Sequence, residues 1–166
     1  MVRRHPFPAI KQQSVQRLHS AGLVKTVGLA AKINGVIFSD LGRAASFMAL
    51  DWVQEALAKS LDFRPFPATL NLRPKAEDDA RLWAAIQSDW PGIPLAPVDG
   101  RFCSARLYRV EVAGPLNPEK GKATGAVLLP NVTGYPKDKI EIVAPVRLKS
   151  ALGVKDGDQL TLEFVN

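Results

Sequence analysis

Apolar and polar positions change rhythm several times along the chain, and each change predicts an element. Residues 33–39 form a short apolar-rich run that reads as a strand, followed by a loop around residues 40–45. Over residues 51–61 the period lengthens: Trp52, Val53, Ala56, Leu57 and Leu61 fall on one face of a helix, and Asp51 is placed to cap its start. Residues 63–67 hold two prolines, which fix φ and lack an amide donor, so the helix cannot run through them. Residues 69–72 read as a short strand ending at Pro74. A second helix is predicted over residues 75–88, with Glu77, Asp78 and Asp79 in its first turn, where carboxylates favour the positive end of the helix dipole. Residues 91–97 contain three prolines and read as loop.

Beyond Gly100 the pattern turns to β. Residues 101–112 alternate loosely, and residues 123–129 and 140–144 are apolar runs bounded by turn residues. Residues 146–152 suit one or two helical turns, and Asp156-Gly157 signals a turn before a last strand over residues 159–165. Several short strands, two intercalated helices and no alternating βαβ rhythm argue against a doubly wound parallel sheet. They predict a mainly β protein with some α, built as a small barrel or a closed α+β sheet. Residues 9–31 show only weak helical periodicity through Ile10, Val15 and Leu18, broken by Gly22 and Gly28, and are too short for a complete winged-helix domain. The expected organisation is an N-terminal extension over residues 1–32 and one barrel domain over residues 33–166, without repeats.

Charge sharpens that division. Arg3, Arg4, Lys11, Arg17, Lys25 and Lys32 are accompanied by no acidic residue in the first 32 positions. Removing those six from 22 basic residues leaves 16 against 16 acidic ones, so the whole net charge of +6 sits in the extension. Such an arm can touch nucleic acid or another anionic partner, or serve as a solvated extension; the solvated reading carries more weight, and an organellar transit peptide is a third option. The composition of the whole chain, 46% hydrophobic and 23% charged, is that of a soluble globular protein. No apolar run nears the roughly 20 residues that span a bilayer, and no apolar h-region follows Arg3 and Arg4. Cys103 is the sole cysteine, which rules out a disulfide within the chain and fits a reducing, cytoplasmic location.

The chemistry available is narrow. His5 and His19, the only histidines, both lie in the extension, so a Ser-His-Asp or Cys-His nucleophilic site, or a His/Cys zinc site, lacks material. Gly121-Lys122-Ala123-Thr124 is not a phosphate loop: Leu116 stands where the Walker pattern needs glycine, Ala123 where it needs Ser or Thr, and a strand follows. Thr69-Leu70-Asn71-Leu72 is more informative. On a strand Thr69 and Asn71 share one face and Leu70 and Leu72 the other. Two neutral oxygens side by side suit a hard cation such as Mg²⁺ that keeps waters and substrate phosphates; alternatively they satisfy local backbone groups. Glu141, between Ile140 and Ile142, faces away from both, toward solvent or a cavity.

In this order the segments resemble a known family. Residues 63–72, FRPFPATLNL, are similar to the aromatic-proline lead into the Thr-Leu-Asn motif of the archaeal-type CTP-dependent riboflavin kinases. Residues 128–149, LLPNVTGYPKDKIEIVAPVRLK, look like that family's flavin- and nucleotide-contacting stretch, and residues 152–162 resemble its Leu-Gly-x-Lys-Asp-Gly-Asp close. The likeness runs from about Gly35 to the C-terminus and leaves the extension outside.

The resemblance implies a closed six-stranded cradle-loop barrel that phosphorylates riboflavin to FMN with CTP and Mg²⁺, releasing CDP. Carried over by position, Thr69 and Asn71 would hold the metal, and Thr133 and Glu141 the flavin. The cytidine nucleotide would lie on Leu41, Gly42, Arg43, Ala44, Ala45 and Ser46 and on Val146, Arg147, Leu148 and Lys149. Glu141 is the candidate proton acceptor by its charge alone. One loop departs from the family: Asp40-Leu41-Gly42-Arg43-Ala44-Ala45-Ser46-Phe47 stands where the family reads roughly Gly-Leu-Gly-Glu-Gly before an aromatic. Alanine forced into the positive φ such glycines adopt costs about 1 kcal/mol, and Asp40 adds negative charge near phosphates. Arg43 could compensate by reaching a phosphate. An alternative therefore stands beside the kinase: a non-catalytic flavin- or nucleotide-binding regulatory module with a degraded phosphate loop.

Overall fold

Strand β1 (Lys32–Phe38) and strand β7 (Gln159–Phe164) show the period-2 burial that makes one face of a strand core and the other surface. In the computed structural model, residues 31–40, 42–97, 100, 103–115 and 121–165 are described, all within one unit, Ala31–Asn166. The expectations placed on residues 1–30 and on Leu41 fall outside the described residues. Between β1 and β7 the chain forms β2 (Leu70–Pro74), β3 (Ile93–Leu95), β4 (Ala105–Ala113), β5 (Lys122–Pro130) and β6 (Ile140–Val143).

All pairings are antiparallel, in the order β3-β4-β5-β6-β2-β1-β7, and β7 returns to pair with β4. Six strands therefore close into a barrel, and the start of β4, beyond its pairing with β7, is the edge that β3 takes. β4 is long enough to serve two neighbours in turn. Its first residues pair with β3 (Leu95↔Ala105), and its last with β7 (Ala113↔Thr161). β3 corrects the reading of residues 91–97 as loop. Pro94 sits mid-strand, tolerated because β3 pairs on one side only and its missing donor is not needed by a second neighbour.

Four helices accompany the strands: α1 (Arg43–Met48), α2 (Asp51–Leu61), α3 (Glu77–Asp89) and α4 (Leu148–Leu152). α1 is a second correction, since a loop was expected there. Asp51 does not cap α2 either; Leu50 is the N-cap, with no side-chain bond, and Asp51 stands in the first turn. At the other end, the Arg109 guanidinium donates to the carbonyls of Leu61 (2.9 Å) and Ser60 (3.1 Å), satisfying orphan acceptors of the last turn. Asp79 accepts from the Ala76 amide at 3.1 Å and from the Asn34 amide at 2.8 Å, tying the start of α3 to β1. No helix among the described residues is long and apolar enough to cross a membrane.

Successive residues of β5 go to different cores. Val127 and Leu129 join the main cluster, where Trp83 of α3 stacks on Phe164 and meets Tyr108 edge-on. Ala126 and Leu128 join a second cluster with Leu107 and Val143, onto which Val53, Leu57 and Leu61 of α2 and Met48 of α1 pack. Gly125 lets β6 come close: a Cβ there would stand 2.8 Å from the Val143 carbonyl oxygen. Gly125→Ala is expected to cost about 1–3 kcal/mol by forcing β6 away, read as a lower urea midpoint. A wild-type midpoint would mean the two strands have slack.

Candidate functional site

Strand register assembles the site. Phe38 of β1 pairs with Asn71 of β2, Asn71 with Glu141 of β6, and Glu141 with Leu128 of β5. The four form one row across four strands, and all line a cavity of about 550 Å³. Thr69, two residues from Asn71, lines it too, and so does Leu70, expected on the other face; Leu70 and Leu72 both belong to the main core. The cavity's other wall is Gly42, Ala44, Ala45 and Phe47, at the start of α1. That wall is held by the Phe47–Trp52 edge contact at 5.7 Å and by the bond from the Gln54 amide to the Met48 carbonyl at 2.6 Å.

Asn71 is 8% exposed, and its Oδ1 has no hydrogen-bond partner. A buried acceptor left unmade is costly, which makes it a candidate to bind something supplied from outside. Among the described residues no three His, Cys, Asp or Glu cluster to hold a metal. Neutral oxygens from Thr69 and Asn71, both lining the cavity, nevertheless fit a hard divalent cation.

Glu141, also 8% exposed, is ordered from two sides. The Tyr135 hydroxyl donates to its Oε2 at 2.6 Å, and Lys139 Nζ lies 3.4 Å from its Oε1. Lys139 also reaches Asp40 Oδ2 at 2.7 Å. Burial, then the bond and charge of Glu141, push the Tyr135 hydroxyl far above its ordinary range, so it remains a donor. Burial pulls Lys139 down, but its bonds to Asp40 and Glu141 and their charges outweigh this and raise it, so it remains an ammonium. Both groups hold their protons more tightly folded than unfolded. Their stabilisation is therefore complete below the ordinary values of 10.0 and 10.5 and is lost as pH rises through the folded ones. The melting temperature is expected to fall once pH passes 10.0, the ordinary tyrosine value, and Tyr135→Phe should flatten that fall. An equally steep fall in the variant would remove Tyr135 from this account.

The altered loop avoids the expected strain. Gly42 takes φ 70°, but Ala44 and Ala45 wind into α1, and the Ala45 amide donates to the Gly42 carbonyl at 3.3 Å. The penalty anticipated for alanine at positive φ does not arise, because the alanines are helical. Ser46 is exposed and lines no cavity described; Leu41 and the Arg43 side chain fall outside the described residues. Val146, Arg147 and Leu148 line a neighbouring cavity of about 130 Å³ that shares Ala68, Thr69, Leu70 and Lys149 with the first. Lys149 Nζ is tied to Asp156 at 2.7 Å and Ser39 at 3.3 Å, and that bond holds the Asp156 carboxyl below its usual range.

Thr133 is exposed between β5 and β6 and lines none of these cavities. Its neighbours Asn131, Val132 and Tyr135 border a third cavity of about 610 Å³, which meets the first at Pro130. Sequence reasoning assigned no role to Tyr135 or Lys139. A signal existed for Lys139: two residues before Glu141, it belongs on the same face of an extended chain.

Comparison with known proteins matches residues 37–164 to the family CTP-dep_RFKase, described as "Domain of unknown function DUF120". The chain is 33% identical over 132 residues to a riboflavin kinase of Pyrobaculum calidifontis, covering 80% of this chain and 59% of that one. It is 31% identical over 137 residues to a riboflavin kinase of Pyrobaculum arsenaticum (81% and 60%). It is 30% identical over 135 residues to one of Archaeoglobus fulgidus (81% and 54%). The chain thus spans less than two thirds of the length of these relatives.

Proposed function

The chain belongs to the CTP-dependent riboflavin kinase family, and on that footing we propose that it transfers the γ-phosphate of CTP to riboflavin, giving FMN and CDP, with Mg²⁺ held at Thr69 and Asn71. The observation that carries the reading is the partnerless Asn71 carbonyl, buried on the wall of the cavity that also holds Thr69 and Glu141. When bound, the metal would neutralise charge developing on the transferred phosphoryl group.

The chain's own residues do the positioning. Gly42, Ala44 and Ala45 on one side and Lys149 on the other bracket the phosphates, while Val146, Arg147 and Leu148 border the adjoining space for the nucleoside. The flavin approaches from the side of Tyr135 and the third cavity, with Thr133 at its rim. Glu141, oriented by the Tyr135 hydroxyl, accepts a hydrogen bond from the ribityl hydroxyl. As the hydroxyl oxygen bonds to the γ-phosphorus, the bond to the β–γ bridging oxygen breaks, CDP leaves with that electron pair, and the hydroxyl proton passes to Glu141 or to water.

The test incubates the protein with riboflavin, Mg²⁺ and each nucleoside triphosphate in turn, separating flavins on a fluorescence-detected column. FMN should form with CTP. The second reading, a non-catalytic binding module, is favoured by α1, whose Ala45 amide is already committed within the helix. Riboflavin binding without product from any triphosphate would establish it instead.

A further inference from the structure

Lys139 is the second cation of the central cavity, and its surroundings point to a use. Among the described lining residues the charged ones are Asp40, Glu141, Lys139 and Lys149. Lys149 is occupied by Asp156 outside the cavity, at 2.7 Å. Among the described lining residues, Lys139 is the cation that stands between the two carboxylates of this wall. The Lys139 side chain is 15% exposed and lies between Asp40 Oδ2 at 2.7 Å and Glu141 Oε1 at 3.4 Å.

The two tethers differ in exposure. Asp40 makes the shorter contact, a hydrogen bond at 2.7 Å, but its side chain is 45% exposed, so water and solutes can compete for that pair. Glu141 is buried, 10% exposed in its side chain, and fixed by the Tyr135 hydroxyl. Lys139 thus lies between a buried carboxylate and one open to solvent. Its flexible four-carbon stem and compact charge allow it to exchange Asp40 for a more highly charged oxygen.

We propose that Lys139 is a substrate-positioning residue that leaves Asp40 for the phosphates of the nucleotide donor. The proposal rests on the reading of this cavity as a phosphoryl-transfer site. Its distinguishing feature is the opposite behaviour of the two ion-pair partners. If Lys139 served only to tether the loop to β6, removing either partner would do the same harm. If it binds phosphate, removing Asp40 releases it, and removing Lys139 loses the contact.

Calorimetric titration of the intact chain with cytidine, CDP and CTP, first without Mg²⁺ and then with it, separates these cases. Lys139→Met is expected to weaken CTP about 10- to 100-fold, the worth of a hydrogen bond to a charged group, and to leave cytidine unchanged. Lys139→Arg should retain most of the affinity, and Asp40→Asn should bind CTP as tightly as wild type or tighter. In turnover, Lys139→Met should raise the KM for CTP and leave that for riboflavin in place. Wild-type CTP affinity in Lys139→Met, or equal weakening in Asp40→Asn and Lys139→Met, overturns the proposal while FMN formation by the wild type leaves the kinase reading standing. A wild type that neither binds CTP nor makes FMN overturns both.

Discussion

Thr69→Ala combined with Asn71→Ala is expected to abolish FMN formation without lowering the melting temperature of the free protein. Most substitutions of buried residues do the reverse. The reason lies in the Asn71 carbonyl, which is buried, lines the cavity and has no partner. A buried acceptor without a partner costs the folded state about 1–3 kcal/mol, so deleting it offsets the packing lost with the amide. Function moves the other way, because the two oxygens are the pair proposed to fix a divalent cation against the donor's phosphates. Loss of such charge stabilisation, worth several kcal/mol, corresponds to a rate about a thousandfold lower or less still. The paired readouts are turnover at saturating Mg²⁺ and thermal melting with and without Mg²⁺. Wild-type turnover in the double variant would remove the metal assignment. A large loss of melting temperature would show instead that Asn71 is structurally satisfied.

Trp83→Ala is expected to be the most damaging change to stability, about 3–5 kcal/mol, out of the 5–15 kcal/mol that holds a typical domain. Trp83 is 1% exposed and lies in the main cluster, stacked on Phe164 at 6.3 Å and edge-on to Tyr108 at 6.2 Å. Its removal would empty the contact between α3 and β4 and β7, the pair whose meeting closes the barrel. The indole Nε1 has no partner, so Trp83→Phe should cost much less: it gives up volume but also an unmade hydrogen bond. Urea denaturation of the two variants checks both statements. A loss below about 1 kcal/mol for Trp83→Ala would contradict a packed core at that position.

Where the sequence was misread, local signals were opposed by tertiary context. Three prolines over residues 91–97 argued for loop, yet β4 offered a free edge and Pro94 needs no donor there. Residues 40–45 read as the loop that follows the first strand, where the apolar run ends. The alanines present are good helix formers, and with Met48 buried among Val53, Leu57 and Leu61 they wind into α1. The α2 span, by contrast, was readable to the residue, since its apolar face and the prolines beyond it are all local.

Period-2 alternation alone was enough to expect Thr69 and Asn71 on one face and Glu141 turned away from Ile140 and Ile142, because side-chain direction on an extended chain depends on nothing beyond the neighbouring residues. Family membership was legible for a similar reason, as motifs in a set order along one chain. What faces what was not legible. Asn71 meets Glu141 through strand pairing, and Lys139 meets Asp40 across 99 positions of sequence, only once the barrel has closed. The same holds for the unmet carbonyl of Asn71: whether a buried group finds a partner is settled by the groups brought around it, and no window of sequence contains them.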